Sequence, residues 1–88
     1  MNKKYLITYD LKNPNWNYTN FFSSLQSIGP WWHYISNTWI IKNTNLTSVD
    51  IYNRLGPYLS TMDFILVVEI TDNKWGYLPQ DAWNWLNS

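Results

Sequence analysis

The sequence of 88 residues contains no cysteine and one histidine, His33. Without cysteine, the chain forms neither a disulfide-stapled scaffold nor a thiolate zinc site. A single imidazole excludes a metal site built from several histidines and leaves His33 as the one histidine general base. The three glycines stand isolated at positions 29, 56 and 76, so the sequence has no glycine-rich loop that would cradle a phosphate.

The sequence also lacks an excess of positive or negative charge and lacks any long hydrophobic run. Six basic and six acidic side chains give a net charge of zero, whereas strong sequence-independent binding to nucleic acid requires clustered cations. No apolar run approaches the roughly 18 residues of a membrane-spanning helix, and no charged start precedes an apolar stretch with a cleavage site. We therefore expect no membrane partner and a cytoplasmic location.

Aromatic residues are abundant: seven Trp, seven Tyr and three Phe. Each can bury about 150–250 Å² of surface, but a chain of this length buries only roughly 60–65% of the surface that it exposes when unfolded. This is more apolar surface than a single copy hides easily. We therefore expect part of it to contact a partner or a ligand.

Apolar periodicity predicts four strands and two main helices. The strands are predicted at 4–10, 31–35, 38–42 and 63–70, the last of them buried at least in part on both faces because it is nearly continuously apolar. A first helix is expected from about residue 18, capped by Asn17 and ended by Gly29 and Pro30. A second follows Thr47, with Asp50 completing a capping box. Pro79 suits the first position of a short terminal helix.

The order strand–helix–strand–strand–helix–strand is that of the βαββαβ ferredoxin-like fold. We therefore predict an α+β sandwich with a ferredoxin-like domain at 1–70. A short C-terminal helical tail at 71–88 is expected to pack on that domain or on the mate in a dimer. The two main helices would cover one face of a four-stranded antiparallel sheet. A second subunit, the tail or nucleobases would cover the other face.

Four short segments carry a resemblance to a known family: YLITYDL in the first strand, Ile28-Gly29 at the helix end, TWIIK in the hairpin and DFILVVEIT in the last strand. With the order of elements, they resemble the SinR-like family, which is akin to the small dimeric CRISPR-associated proteins of the spacer-adaptation complex. The resemblance covers essentially residues 1–75. The following WGYLPQDAW is similar to the tail of a solitary subgroup from bacteria and phages.

The resemblance implies a homodimer that acts on or around nucleic acid. It also implies that Asp10, which ends the first strand, faces its symmetry mate and binds Mg²⁺ or Mn²⁺ as a catalytic and metal-binding residue in phosphodiester hydrolysis. Paired carboxylates suit this chemistry, because the metal activates water and neutralises phosphoryl charge. The basic residues that usually follow the acid are reduced here to Lys12. An architectural protein that has lost activity stays an alternative, so the sequence leaves open whether the chain is an enzyme.

The acidic and histidine candidates also have purely structural interpretations. Asp10 precedes a turn with Asn and Pro, where carboxylates commonly accept backbone hydrogen bonds. His33 lies among aromatic residues without a Ser or Asp in a recognisable arrangement, and we interpret it as structural. Glu69 or Asp72 becomes a second metal ligand only if the fold brings it close to Asp10.

The aromatic side chains form a second candidate site. Alternation places Trp31 and His33 on one face of the sheet and Trp32 and Tyr34 on the other. We favour a partner interface over a base-stacking platform, because such platforms accompany a cationic groove; a neutral aromatic pocket would still suit a small nucleotide. The candidate ligand or interface residues are Tyr9, Trp31, Trp32, His33, Tyr34, Trp39, Trp75 and Trp83. The alternative function is a non-enzymatic phage or mobile-element protein that sequesters a nucleotide ligand or blocks a host defence protein.

Overall fold

Four antiparallel strands form a single sheet, and three α-helices pack on it or follow it. The structure, a computed structural model, describes residues 2–88. The strands are β1 (Lys3–Asp10), β2 (Trp31–Ile35), β3 (Thr38–Thr44) and β4 (Phe64–Glu69), and the helices are α1 (Thr19–Ser27), α2 (Ser48–Leu55) and α3 (Gln80–Leu86). The strand order is β2-β3-β1-β4. The α+β class is therefore confirmed. No helix within residues 2–88 combines the length and apolar character needed to cross a membrane.

Local sequence signals account for the hairpin and for the start of α2. The β2–β3 connection is the predicted Ser36-Asn37 pair, and Asn37 takes the left-handed backbone conformation with φ 60°, which Asn tolerates better than most residues. At α2, the Thr47 hydroxyl accepts the Asp50 N–H, and the Asp50 carboxylate accepts the Thr47 N–H. The predicted capping box is therefore confirmed.

Two predicted helix starts are wrong by one residue. Tyr18 rather than Asn17 is the N-cap of α1; the Asn17 side chain lies outside the helix and accepts the Thr19 N–H in a local turn. Pro79 is the N-cap of α3 rather than its first residue, because its backbone is extended, with ψ 149°. These errors come from turn geometry that competes with capping for the same polar and proline residues.

Gly29 follows the α1 C-cap as predicted, but for a different physical reason. Its backbone is not left-handed, so it does not serve as a conformational stop. A Cβ atom at this position would lie 2.6 Å from the backbone oxygen of Lys42. Glycine is required there because the end of α1 approaches β3 closely.

One face of the sheet, which we call the helix face, carries α1 and α2. Its buried core combines side chains from two strands, β1 and β3, and from both helices: Tyr5, Ile7, Tyr9, Trp39, Ile41, Phe21, Leu25, Ile51 and Leu55. The α1 and α2 contributions recur at helical spacing and those from β1 at alternate positions, which is why periodicity predicted these elements correctly.

The opposite face, which we call the tail face, is partly covered by α3. Ala82 and Leu86 of α3 pack on Trp32 of β2 and Ile40 of β3 to form a second buried cluster. This cluster covers the β2–β3 half of the sheet, so that the β1–β4 half of the tail face remains open.

The prediction that the last strand is buried on both faces is wrong. Phe64, Leu66 and Val68 are 66%, 58% and 40% exposed, respectively. These three residues, which we call the β4 strip, lie on the tail face opposite Asp10, Thr8 and Leu6 of β1. The reason is topological: β4 is an edge strand, and α3 packs against the other half of the sheet.

Two lysines hold the end of α3 against the tail face. Lys4 Nζ donates to the Leu86 backbone oxygen at 2.6 Å, and Lys42 Nζ donates to the Trp85 backbone oxygen at 2.9 Å and to Ser88 Oγ. Lys42 Nζ also lies 4.3 Å from the centroid of the Trp85 ring. Cations beside the terminal carbonyls of a helix are favourable, so the C-terminal end of α3 is fixed by charge as well as by apolar contact.

Candidate functional site

Asp10 ends β1 on the tail face, beside the β4 strip. It pairs in register with Phe64 of β4, and its side chain is 60% exposed. Lys12 Nζ lies 3.6 Å from Asp10 Oδ2 and 4.8 Å from the centroid of the Phe64 ring. Exposed ion pairs of this kind contribute little to stability. Because its side chain is largely exposed, the Asp10 carboxylate is accessible to solvent at the border of an open apolar surface.

Metal binding at Asp10 depends on which other ligand side chains lie near it. Within residues 2–88, no three His, Cys, Asp or Glu side chains come together as a metal-binding group. Glu69 pairs in register with Tyr5, at the opposite end of the β1–β4 ladder from Asp10. Magnesium is commonly held by one or two carboxylates with water and substrate phosphate. Glu69 is therefore too far along the ladder to join Asp10 at one cation.

Asp63 was not among the predicted site residues, yet its carboxylate organises the corner next to Asp10. It accepts hydrogen bonds from the Lys12 N–H (2.7 Å), the Tyr18 hydroxyl (2.7 Å), and the Ser60 N–H (2.8 Å) and hydroxyl (3.0 Å). Burial acts to raise the pKa of Asp63, but these hydrogen bonds outweigh it and lower the pKa. The Ser60-x-x-Asp63 spacing is the signal that could have indicated part of this network.

Four of the predicted aromatic site residues form one cluster on the helix face. The Trp39 indole N–H donates to the Tyr9 hydroxyl at 2.9 Å, while the Trp31 and His33 rings lie 4.7 and 4.5 Å from the Trp39 ring. Burial raises the pKa of Tyr9, an effect that the Trp39 hydrogen bond partly offsets. Trp31 and His33 thus share a face, as alternation predicts, and both pack against Trp39.

The remaining predicted aromatics lie on the tail face. The Trp32 and Tyr34 rings are 5.1 Å apart, and the Tyr34 hydroxyl donates to Asp81 of α3 at 3.1 Å. That hydrogen bond, with burial, raises the pKa of Tyr34. Trp83 is partly buried, and the Trp75 ring lies 5.7 Å from it. Trp75 itself is 94% exposed, so the tail brings one indole into contact with the sheet and leaves another open.

A cavity of about 250 Å³ lies on the tail face between the sheet and the segment that leads into α3. Trp32, Trp75 and Trp83 all line it, whereas Trp31, His33 and Trp39 do not. The structure therefore divides the predicted aromatic site into a packed cluster on the helix face and an open cavity on the tail face.

Comparisons of the chain with protein-family models, curated proteins and solved structures return no match.

Proposed function

We propose that the chain is a small homodimer of ferredoxin-like fold, related to the CRISPR-adaptation small subunit, that acts on or around nucleic acid. The observation that carries this proposal is the position of Asp10, an accessible carboxylate at the border of the exposed β4 strip. A second copy packed on the strip would bury apolar surface and bring two Asp10 side chains together.

The strand order supports the ferredoxin-like part of the proposal. Read from the other edge, the sheet runs β4-β1-β3-β2. The β1–α1–β2 unit therefore has β3 between its strands, and the β3–α2–β4 unit has β1 between its strands. Two interleaved split βαβ units of this kind make up the βαββαβ fold.

The β4 strip supports the homodimer. Burying apolar surface contributes about 25 cal/mol per Å² removed from water, and the three strip residues lie in one row on an edge strand. A twofold axis makes an interface isologous, so that each residue near the axis approaches its own copy. Because Asp10 pairs in register with Phe64, an axis at this end of the strip would bring the two Asp10 carboxylates together.

Such a pair would supply two carboxylate ligands to a divalent cation. A divalent cation held there would activate water and neutralise phosphoryl charge. Asp10 would hold the cation from both copies, and Lys12 would offer its ammonium group to the nucleic-acid backbone. With a net charge of zero, long-range attraction of nucleic acid is weak, so recognition would depend on local contacts.

The catalytic part is tested with Asp10→Asn and with Glu69→Gln as the matched control, because Glu69 is an exposed acidic residue at the opposite end of the β1–β4 ladder. Cleavage of RNA and DNA oligonucleotides is measured with Mg²⁺ and with Mn²⁺. We expect Asp10→Asn to abolish metal-dependent cleavage and Glu69→Gln to retain it. Equal cleavage by wild type and Asp10→Asn, or no cleavage by the wild type, would overturn catalysis at Asp10.

A second candidate function is a non-enzymatic protein that sequesters a nucleotide ligand or blocks a host defence protein. The specific observation in its favour is the open Trp75 at the cavity on the tail face. Ligand or partner binding that persists in Asp10→Asn, without any metal-dependent cleavage by the wild type, would favour this candidate over the first.

A further inference from the structure

The outer side of β4 is an open edge of the sheet. β4 is the last strand in the order β2-β3-β1-β4, and the Ile70 N–H just beyond it donates to the Lys4 backbone oxygen at 2.8 Å. In an antiparallel strand, successive residues turn their N–H and C=O groups alternately to the two sides, so the even-numbered residues of β4 bond to β1. The backbone groups of Ile65, Val67 and Glu69 therefore point away from the sheet, where no other strand of residues 2–88 pairs with them.

The β4 edge has none of the features that usually keep an edge strand from pairing with another chain. Native edge strands are commonly interrupted by a bulge or by Pro, or carry Lys. The β1–β4 ladder keeps one register from Tyr5 to Asp10, whereas the register of the other edge strand, β2, shifts between Trp32 and Ile35. The six residues of β4 include neither Pro nor Lys, and five of them are apolar. This edge is therefore suited to pair with a further strand.

A groove beside the β4 edge would receive side chains of such a strand. It lies between α2 and β4 and has a volume of about 210 Å³, and Val49 and Tyr52 of α2 line it together with Ile65 and Val67 of β4. Val49 and Tyr52 are 64% and 50% exposed. Strand addition combines main-chain hydrogen bonds, which supply affinity, with pockets for alternate side chains, which supply specificity. The groove thus matches apolar side chains at alternate positions of an added strand.

Glu69 determines the charge that the added strand should carry. It is the one charged residue of β4, it is exposed, and within residues 2–88 it forms no ion pair. Opposite charges on directly paired residues of neighbouring strands contribute favourably, whereas like charges are destabilising. The β4 strand of a second copy has no basic residue to place opposite Glu69. The edge therefore fits a segment of another protein that carries Lys or Arg at this position.

We propose that the β4 edge is a docking site for an extended segment of a partner protein, which adds to the sheet as a fifth strand antiparallel to β4. Its backbone pairs with Ile65, Val67 and Glu69, its apolar side chains at alternate positions enter the groove next to α2, and a basic side chain pairs with the Glu69 carboxylate. This inference goes beyond the function proposed above, because it uses neither Asp10 nor the exposed face of the β4 strip.

The probe for this site is the synthetic hexapeptide acetyl-Lys-Thr-Val-Thr-Val-Thr-amide. In an antiparallel pair that begins at Glu69, its Lys lies opposite that residue and both of its Val side chains lie on the groove side. Binding to the full chain is followed by NMR titration, and amide hydrogen exchange is measured with and without the peptide. We expect the Val67 and Glu69 amides to exchange quickly in the free chain and about tenfold more slowly in the complex. The Leu66 and Val68 amides, which bond to β1, should exchange slowly in both.

Matched peptides and variants test the contacts separately. A peptide with N-methylvaline as its first Val keeps the side chain but lacks the N–H that would donate to the Val67 oxygen, and we expect it to bind about tenfold more weakly. Replacing the Lys of the peptide by Glu should weaken binding about fivefold. Val49→Glu places a charge in the groove and should also weaken binding. Gln26→Glu adds the same charge on the exposed side of α1 and should bind like the wild type.

The proposal is overturned if the hexapeptide does not bind the wild type, or if the N-methylated peptide or the Val49→Glu protein binds as tightly. Protection that does not follow the alternation along β4 would also overturn it, because the peptide would then not pair with the open edge. Val67 and Glu69 amides that are already protected in the free dimer would place a second copy at this edge and exclude the proposed partner. The titration contains no divalent cation, so its outcome is independent of the metal site proposed at Asp10.

Discussion

Asp63 shows how a single carboxylate fixes the surroundings of a candidate site. It joins the Lys12 backbone, which follows β1, to the Ser60 turn, which precedes β4. The Ser60 contact spans three residues, and its spacing is visible in the sequence. The contacts to Tyr18 and Lys12 span 45 and 51 residues, so no local pattern reveals them. For this reason the sequence indicated Asp10 but not the residue that organises its loop.

We predict that Asp63→Asn lowers the free energy of unfolding at neutral pH by about 1–3 kcal/mol, because an amide offers one acceptor oxygen in place of two. Urea denaturation followed by tryptophan fluorescence measures this change. The exposed Asp72→Asn is the control and should stay within about 0.5 kcal/mol of the wild type. Equal losses in the two variants would contradict the role assigned to Asp63.

The lowered pKa of Asp63 also predicts a pH dependence. Its folded-state pKa lies below the unfolded value of about 3.9. Its contribution to stability is therefore complete above the unfolded value and is lost as the pH falls through the folded-state pKa. Between about pH 5 and pH 2, the wild type should lose more stability than Asp63→Asn. If the free energy of unfolding falls by the same amount in both proteins over this pH range, Asp63 is not the source of the acid sensitivity.

Among the secondary-structure elements, α3 depends most on tertiary contacts. A helix of seven residues is too short to be stable in isolation. Its apolar side packs on Trp32 and Ile40, and Lys4 and Lys42 bind its last carbonyls. The tail is therefore held both by apolar burial and by charge at the helix end.

Leu86→Ala is expected to lower the free energy of unfolding by about 2–5 kcal/mol, since it leaves a cavity under α3. Asn84→Ala, on the exposed side of the same helix, should change it by less than about 0.5 kcal/mol. Guanidinium denaturation of both variants gives the comparison. If Leu86→Ala unfolds at the wild-type midpoint, α3 does not contribute to the core as described.

The strands illustrate what patterning predicts and what it leaves undetermined. Alternation in β1 predicted which side chains enter the core, and Tyr5, Ile7 and Tyr9 are buried. The continuous apolar run of β4 predicted a strand correctly but predicted its burial wrongly. Such a run is the same whether the strand lies in the middle of a sheet or at its edge. Only the strand order shows that Phe64 and Leu66 are exposed.

For the whole molecule, the β4 strip leads to a prediction about oligomeric state. We expect the wild type to sediment at twice its chain mass of 10.6 kDa. Leu66→Glu places a charge in the centre of the strip and should sediment as a single chain. Gln26→Glu adds the same charge on the exposed side of α1 and should remain dimeric. A Leu66→Glu protein that stays dimeric would exclude the strip as the interface.

The order of elements and the composition together predicted the α+β class and the excess of aromatic surface. They left open whether the tail or a second subunit covers the other face of the sheet, because this depends on where a short segment docks after the sheet has formed; α3 packs there on Trp32 and Ile40. The candidate metal site is less predictable still. As proposed, it combines Asp10 from two copies, and the sequence of one chain does not specify the geometry between copies.

Oxidative cross-linking at position 10 tests the central proposal most directly. The chain has no cysteine, so Asp10→Cys introduces a single thiol per chain, and Asp72→Cys provides the matched control. Disulfides form only when the two Cα atoms lie within about 7 Å. Rapid, nearly complete conversion of Asp10→Cys to a covalent dimer, with Asp72→Cys remaining a single chain, is the predicted result. An Asp10→Cys protein that stays a single chain under the same oxidation would contradict the paired carboxylates.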